Sequence, residues 1–137
     1  MDWMFLAHVF LTFYMTGVIW FVQIVHYPLM AKVGIDSFRS YEQAHTRLTT
    51  WVVGPQMVAE LGTGIFILLQ DWSNLWHWVN IALLIIIWLS TFLIQVPLHG
   101  QLSEGFQEKL RQKLVRSNWI RTVAWTVRSL ILIWLLR

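Results

Sequence analysis

Four long apolar runs, Trp3 to Tyr27, Thr49 to Leu69, Trp76 to Val96 and Trp119 to Leu136, decide most of what this chain can become. A helix rises about 1.5 Å per residue and the hydrocarbon core of a bilayer is about 30 Å thick, so roughly 20 residues suffice to cross it. Three of the runs reach that length comfortably and the last only just. A soluble core is a poor alternative. With 57% hydrophobic and 12% charged residues, almost no polar sequence remains to cover one. The expectation is an all-α protein: a four-transmembrane-helix bundle forming a single integral membrane domain over residues 1–137, with the lipid bilayer as its first partner.

The first run lacks a basic leader and a small-residue cleavage site, so it reads as a span and not as a removable signal. The chain has no cysteine. That excludes disulfides, thiol catalysis and thiolate metal sites, and with them the four-helix reductases that work through paired cysteines. The net charge of +3 does not point to nucleic acid, because its distribution is one-sided. Lys32, Arg39 and Arg47 lie between the first two runs, and Lys109, Arg111, Lys113 and Arg116 between the last two; the opposite side has only Arg137. By the positive-inside rule both connecting loops are cytoplasmic and both termini lie outside, as in a bacterial inner membrane.

Proline punctuates the runs. Pro28 is expected to stop the first helix and Pro97 the third, which sets His99 just beyond its end. The segments between, residues 28–48 and Ser103 to Lys113, read as short amphipathic cytoplasmic helices, the former lying on the membrane surface or running straight into the second span. Asp36-Ser37 and Ser103 mark their expected starts. Within the spans the polar residues recur at three- and four-residue steps: His8, Thr12, Thr16, Gln23 and His26; Gln56, Glu60 and Thr63; Asn80, Thr91 and Gln95; Asn118, Arg121, Trp125 and Arg128. Each helix thus has one polar face for the bundle interior. Several matches fall at nearly constant separation, with Trp20 and Trp88, Phe38 and Phe106, Trp51 and Trp119, and Glu60 and Arg128 each 68 apart, and Pro28-Leu29 and Pro97-Leu98 69 apart. They suggest a parallel two-helix internal repeat that would bring Glu60 opposite Arg128.

Glu60 and Arg128 are the two charges that no loop explains. Both sit roughly 15 Å into the membrane, where a lone ionised group costs about 3 kcal/mol on insertion scales, so they are expected to pair. The pair either fixes helix register or leaves Glu60 as a buried acid/base with Arg128 and Arg121 as charge partners. His26, His45 and His99 all fall at the cytoplasmic ends of their segments. Three imidazoles without a thiolate suit Fe, Cu or Zn; alternatively two of them hold a haem axially, with Arg47, Arg116 or Arg121 meeting its propionates. His45 and Glu60 lie about 22 Å apart along a continuous helix, so one ion cannot use both. A hydrophobic small molecule could bridge the distance, its head among the imidazoles, Asn118 and Arg121, its tail among Phe66, Trp88 and Trp125, with Gln56 and Gln95 orienting it.

The strings His26-Tyr27-Pro28-Leu29, Thr50-Trp51-Val52-Val53, Gln95-Val96-Pro97-Leu98-His99 and Asn118-Trp119-Ile120-Arg121-Thr122, with His45, Pro55, Met57, Glu60, Trp125-Thr126 and Arg128, resemble a group of small four-helix bacterial integral membrane proteins that has no settled activity. Through the Val-Pro near the end of the third run and the Asn–Arg start of the fourth, the chain is distantly similar to the anthrone-oxygenase-like membrane family. That similarity implies oxidation of a hydrophobic aromatic substrate. The expectations are therefore an oxidoreductase-type enzyme with a cytoplasm-facing polar cavity and a histidine-bound metal or haem; a proton-coupled carrier of a small solute through Glu60; or an accessory subunit whose lateral surface serves a homo-oligomer or a partner.

Overall fold

The computed structural model describes residues 2–137, and all regular structure among them is helical. Four helices succeed one another: α1 (Trp3–Lys32), α2 (Ile35–Gln70), α3 (Leu75–Leu102) and α4 (Glu108–Leu135). They pack as a ring in which α1 touches α2 and α4, and α3 touches α2 and α4. The connections from α1 to α2 and from α3 to α4 lie at one end of the bundle, where the rings of Phe38 and Phe106 meet edge to face at 4.9 Å. All seven loop-side basic residues gather at this end. The tight turn at Asp71, capped by the Asn74 side chain accepting from the Trp76 N–H, closes the opposite end.

Three helices, α1, α2 and α3, are long and apolar enough to cross a membrane. The fourth has the length, but Arg121 and Arg128 make it less apolar than the others. The polarity of the bundle is inverted relative to a soluble protein. Large apolar side chains such as Phe21, Leu69, Leu93 and Leu130 are exposed around the outside, while Gln23, Glu42, Glu60, Asn118 and Arg128 are buried. Such an arrangement suits a lipid exterior, which has no use for polar groups and no objection to apolar ones.

Neither Pro28 nor Pro97 ends its helix. Each is preceded by one turn of π-helix, Val22–His26 in α1 and Thr91–Gln95 in α3. There the Tyr27 N–H bonds the Val22 carbonyl and the Val96 N–H the Thr91 carbonyl, five residues back. The wider turn opens the backbone just where the proline ring would otherwise strike the preceding carbonyl, so the chain passes the proline without breaking. His99 consequently lies inside α3 and not beyond it. The first connecting segment takes the second of its two expected courses: α2 is one helix of 36 residues, about 54 Å long, in which residues 35–48 run straight on into the second apolar run. The second does not form as a separate helix: Ser103 and Glu104 form a turn, Gly105 takes φ 157°, and the helix that begins at Glu108 is α4 itself.

Two apolar clusters hold the ring together. Met15, Ile19, Met57, Ile87, Ala124 and Trp125 fill its middle; Tyr27, Met30, Phe38, Leu98, Leu102 and Leu114 fill the basic end. Between and beside them lie two polar clusters.

Candidate functional site

The deeper polar cluster is built by one residue or more from each helix. Glu60 on α2 and Arg128 on α4 meet at 2.5 Å, and neither is exposed. The remaining capacity of both is largely taken up. Trp125 Nε1 donates to both Glu60 oxygens at 3.1 and 3.3 Å, and Arg128 donates from Nε and Nη2 to Asn80 Oδ1 at 3.1 and 3.0 Å. His8 completes the cluster, 3.3 Å from Arg128 Nη2 through Nε2 and 2.8 Å from the Thr63 hydroxyl through Nδ1. Beside it is a void of only about 10 Å³, lined by His8, Gly64 and Asn80 among others, roughly the room of one water. The expected pairing of Glu60 with Arg128 is met, and Trp125 belongs with it. His8, expected on the inward polar face of the first helix, joins the pair, because Gly64 has no side chain to keep α1 away: a Cβ there would stand 3.1 Å from His8 Cε1.

The second cluster lies at the basic end. Phe38, Glu42 and His45 recur on one face of α2, so the anchoring of Phe38 in the apolar core carries the Glu42 carboxyl inward, where it is fully buried. Glu42 Oε1 holds His99 Nδ1 in a short hydrogen bond. On its other side His99 Nε2 shares a hydrogen bond with the Tyr27 hydroxyl at 3.0 Å, and Arg121 Nη2 donates to that same hydroxyl at 3.4 Å. Arg121 is fixed in turn by Asn118, whose Oδ1 accepts from its Nε and Nη2 at 2.9 and 2.6 Å, and by Thr91 at 3.3 Å. Asn118 Nδ2 donates to Gln23 Oε1 at 2.8 Å, and Gln23 Nε2 donates to the Val115 carbonyl. An unbroken row of hydrogen bonds therefore runs Glu42–His99–Tyr27–Arg121–Asn118–Gln23 across all four helices.

This row forms part of the wall of a cavity of about 340 Å³, lined by Tyr27, His45, Thr50, Gln95, His99 and Arg121 with their neighbours. His26 and His45 stand beside it as a stack, ring centroids 4.1 Å apart at 28°, with Tyr41 continuing the column 6.2 Å from His45. Three polar atoms around this end are buried without a partner: Glu42 Oε2, His26 Nε2 and Gln95 Oε1.

The three imidazoles expected to form a metal or haem site are thus brought together, but as neighbours with different duties. Both ring nitrogens of His99 have protein partners, His45 Nδ1 bonds Thr49 at 3.1 Å, and the rings of His26 and His45 lie face to face. Among the described residues no three His, Asp or Glu side chains are placed to hold a metal ion. Arg121, Asn118 and Gln95 belong to this end; Gln95 Nε2 donates to the Ser117 hydroxyl at 2.9 Å. Arg47 and Gln56 join neither cluster: Arg47 is exposed, and neither side chain has a hydrogen-bond partner among the described residues. The expected apolar tail channel does not form as drawn either, since Trp125 is sealed in with Glu60 and Phe66 faces outward. Sequence reading missed Glu42. Its signal was its spacing, four residues after Phe38 and three before His45, which put a carboxyl on the buried stripe of an amphipathic helix.

Chemically the row is of a kind that can pass protons: a buried carboxylate orients a histidine, the histidine faces a tyrosine hydroxyl, and a guanidinium donates to that hydroxyl. Compared with known proteins, the chain matches no family model, and no curated protein or solved structure matches it either.

Proposed function

We propose that the chain is a membrane-embedded enzyme acting on a hydrophobic small molecule, with proton transfer at the Tyr27 hydroxyl as its chemical step. His99 Nε2 takes the tyrosine proton, Glu42 balances the imidazolium that forms, and Arg121 stabilises negative charge on Tyr27 or on the substrate oxygen. The observation that carries the reading is the continuous Glu42–His99–Tyr27–Arg121 row opening on a 340 Å³ cavity, a volume within the usual range for a small-molecule site. With a phenolic or enolisable substrate this step leaves an electron-rich anion, and an oxidoreductase-type outcome would need dioxygen as the external acceptor of its electrons. A metal belongs to this proposal only at His26 and His45, where ring nitrogens remain without protein partners; a haem held by His99 does not fit its two occupied nitrogens.

The setting we propose for this enzyme is a bacterial inner membrane, crossed by all four helices, with both termini outside and the cavity facing the cytoplasm. Arg121 and Arg128 do not oppose a fourth span, since both point into polar clusters and not at lipid. The contacts of Phe38 with Phe106 and of Glu60 with Arg128, and the π turns before Pro28 and Pro97, support a parallel repeat in which α1–α2 and α3–α4 are equivalent halves. The carrier reading through Glu60 has less behind it, because both carboxylate oxygens are engaged and the adjoining void has no room for a solute.

The test is deuterium incorporation from D2O at the carbon next to the carbonyl in a panel of lipophilic enolisable ketones by the purified protein in lipid discs. A substrate should exchange with wild type, and the rate should fall by about 10²–10⁴-fold in Tyr27→Phe and in His99→Gln. Exchange that survives in both variants would remove the relay from the chemistry.

A further inference from the structure

One cationic side chain in the cavity wall, Arg121, has no carboxylate of its own in contact with it. Three pairs of a carboxylate with a basic side chain occur among the described residues: Glu42 with His99, Glu60 with Arg128, and Glu108 with Arg111. Arg121 is in none of them. Its partners are the Asn118 carboxamide oxygen and the hydroxyls of Thr91 and Tyr27, all formally neutral acceptors. A guanidinium stays charged at any pH a protein meets, and one withdrawn from water calls for an anion. It carries five N–H donors, and four are accounted for: one on Nε, one on Nη1 and two on Nη2. One Nη1 hydrogen is left over, on a residue that lines the cavity.

A second and independent deficit stands in the same wall. Gln95 is buried, its Nε2 is spent on Ser117, and its Oε1 has no partner. A buried amide oxygen without a donor is rare, and here it lines the cavity that Arg121 lines. A ligand that brought one anionic group and one hydrogen-bond donor to this cavity would meet both.

Resting on the enzyme reading above, we infer that the substrate is a hydrophobic hydroxy-carboxylate, its carboxylate paired with Arg121 and its hydroxyl donating to Gln95 Oε1. Carboxylate fits better than the alternatives on charge. A phenol near its ordinary value of about 10 is neutral at pH 7, whereas a carboxyl near 4.3 is ionised. A phosphate brings nearly two negative charges to a single guanidinium. The exposed apolar rim of the bundle, including Val96 at the cavity wall, then receives the body of the molecule from the lipid.

The experiment is equilibrium binding to the full chain in zwitterionic phosphatidylcholine discs, corrected with empty discs, using 3-hydroxy-2-naphthoate, its methyl ester and 2-naphthoate. Wild type should prefer the hydroxy acid over its ester by about tenfold or more, the worth of one charge-assisted contact. Arg121→Gln should abolish that preference. 2-Naphthoate should bind more weakly than the hydroxy acid, and Gln95→Leu should erase that difference. His99→Gln should keep the acid preference while losing proton transfer, so failure of the relay and failure of this assignment are told apart. Equal binding of acid and ester by wild type overturns the inference whether or not the variants fold. So does a tyrosinate band in the ultraviolet spectrum at neutral pH that disappears in Tyr27→Phe, since Tyr27 would then be the counter-ion.

Discussion

Glu60 and Arg128, 68 residues apart in sequence, form an ion pair at 2.5 Å with neither side chain exposed, and Trp125 and Asn80 hold one partner each. Glu60→Gln leaves a guanidinium in the interior without a counter-charge and is expected to cost about 3–5 kcal/mol, while the apolar double replacement Glu60→Leu with Arg128→Met should recover most of it. Denaturant unfolding of the solubilised protein measures both. A single variant as stable as wild type would mean that the pair is solvated after all.

At Gly64 the α2 backbone lies against the His8 side chain with little room for a Cβ. A Cβ there would meet His8 Cε1 at 3.1 Å and Ile81 Cδ1 at 3.2 Å, one on α1 and one on α3. Gly64→Ala should therefore destabilise by about 1–3 kcal/mol, against the small gain a helix normally draws from alanine. Gly62→Ala, with nothing within 4 Å, is the matched control and should be neutral or stabilising. Melting both variants in the same detergent separates packing from propensity.

At the start of α4, Glu108 accepts from Arg111 at 2.9 and 2.5 Å and from Gln112 at 2.8 Å, and these hydrogen bonds pull its carboxyl from 4.5 down to about 2. A folded value below the unfolded one means that the support is present above about 4.5 and disappears as the pH falls through about 2. The first turn of α4 should accordingly stay formed at pH 4 and fray only near pH 2, whereas Glu108→Gln should fray at neutral pH. Carboxyl and amide chemical shifts follow both.

The absence of cysteine makes the proposed orientation directly testable. Single cysteines at Lys113 and Ser73 should react with an impermeant maleimide from opposite sides of the membrane, Ser73→Cys from outside in intact cells and Lys113→Cys only after lysis. Labelling of both from one side would remove the four-span topology.

Much of this bundle is readable from the chain because lipid imposes a coarse rule, that polar side chains gather inward. The faces through Glu60, Asn80 and Arg128 follow from helical spacing alone, and their pairing from the cost of leaving either charge alone. Glu42 escaped because it lies in a segment where acidic residues are ordinary; only the burial of Phe38 one turn earlier makes it an interior group. His26, His45 and His99 were legible as neighbours, since all three belong to one end. Whether their nitrogens converge or stack depends on ring rotations of a few tens of degrees, which no spacing encodes. Pro28 and Pro97 misled for a related reason: a proline signals where the ordinary hydrogen-bond ladder must yield, and yielding here took the form of a wider turn and not of an end.

Those two wider turns also set the phase of everything after them. Each residue advances an α-helix by about 100°, so one residue gained or lost swings all later side chains by more than a quarter circle. Tyr27 and His99 both come after such a turn, which means their aim depends on a single supernumerary residue in each helix. Shortening either turn by one would leave both helices intact and equally greasy, yet point the tyrosine or the imidazole at the acyl chains.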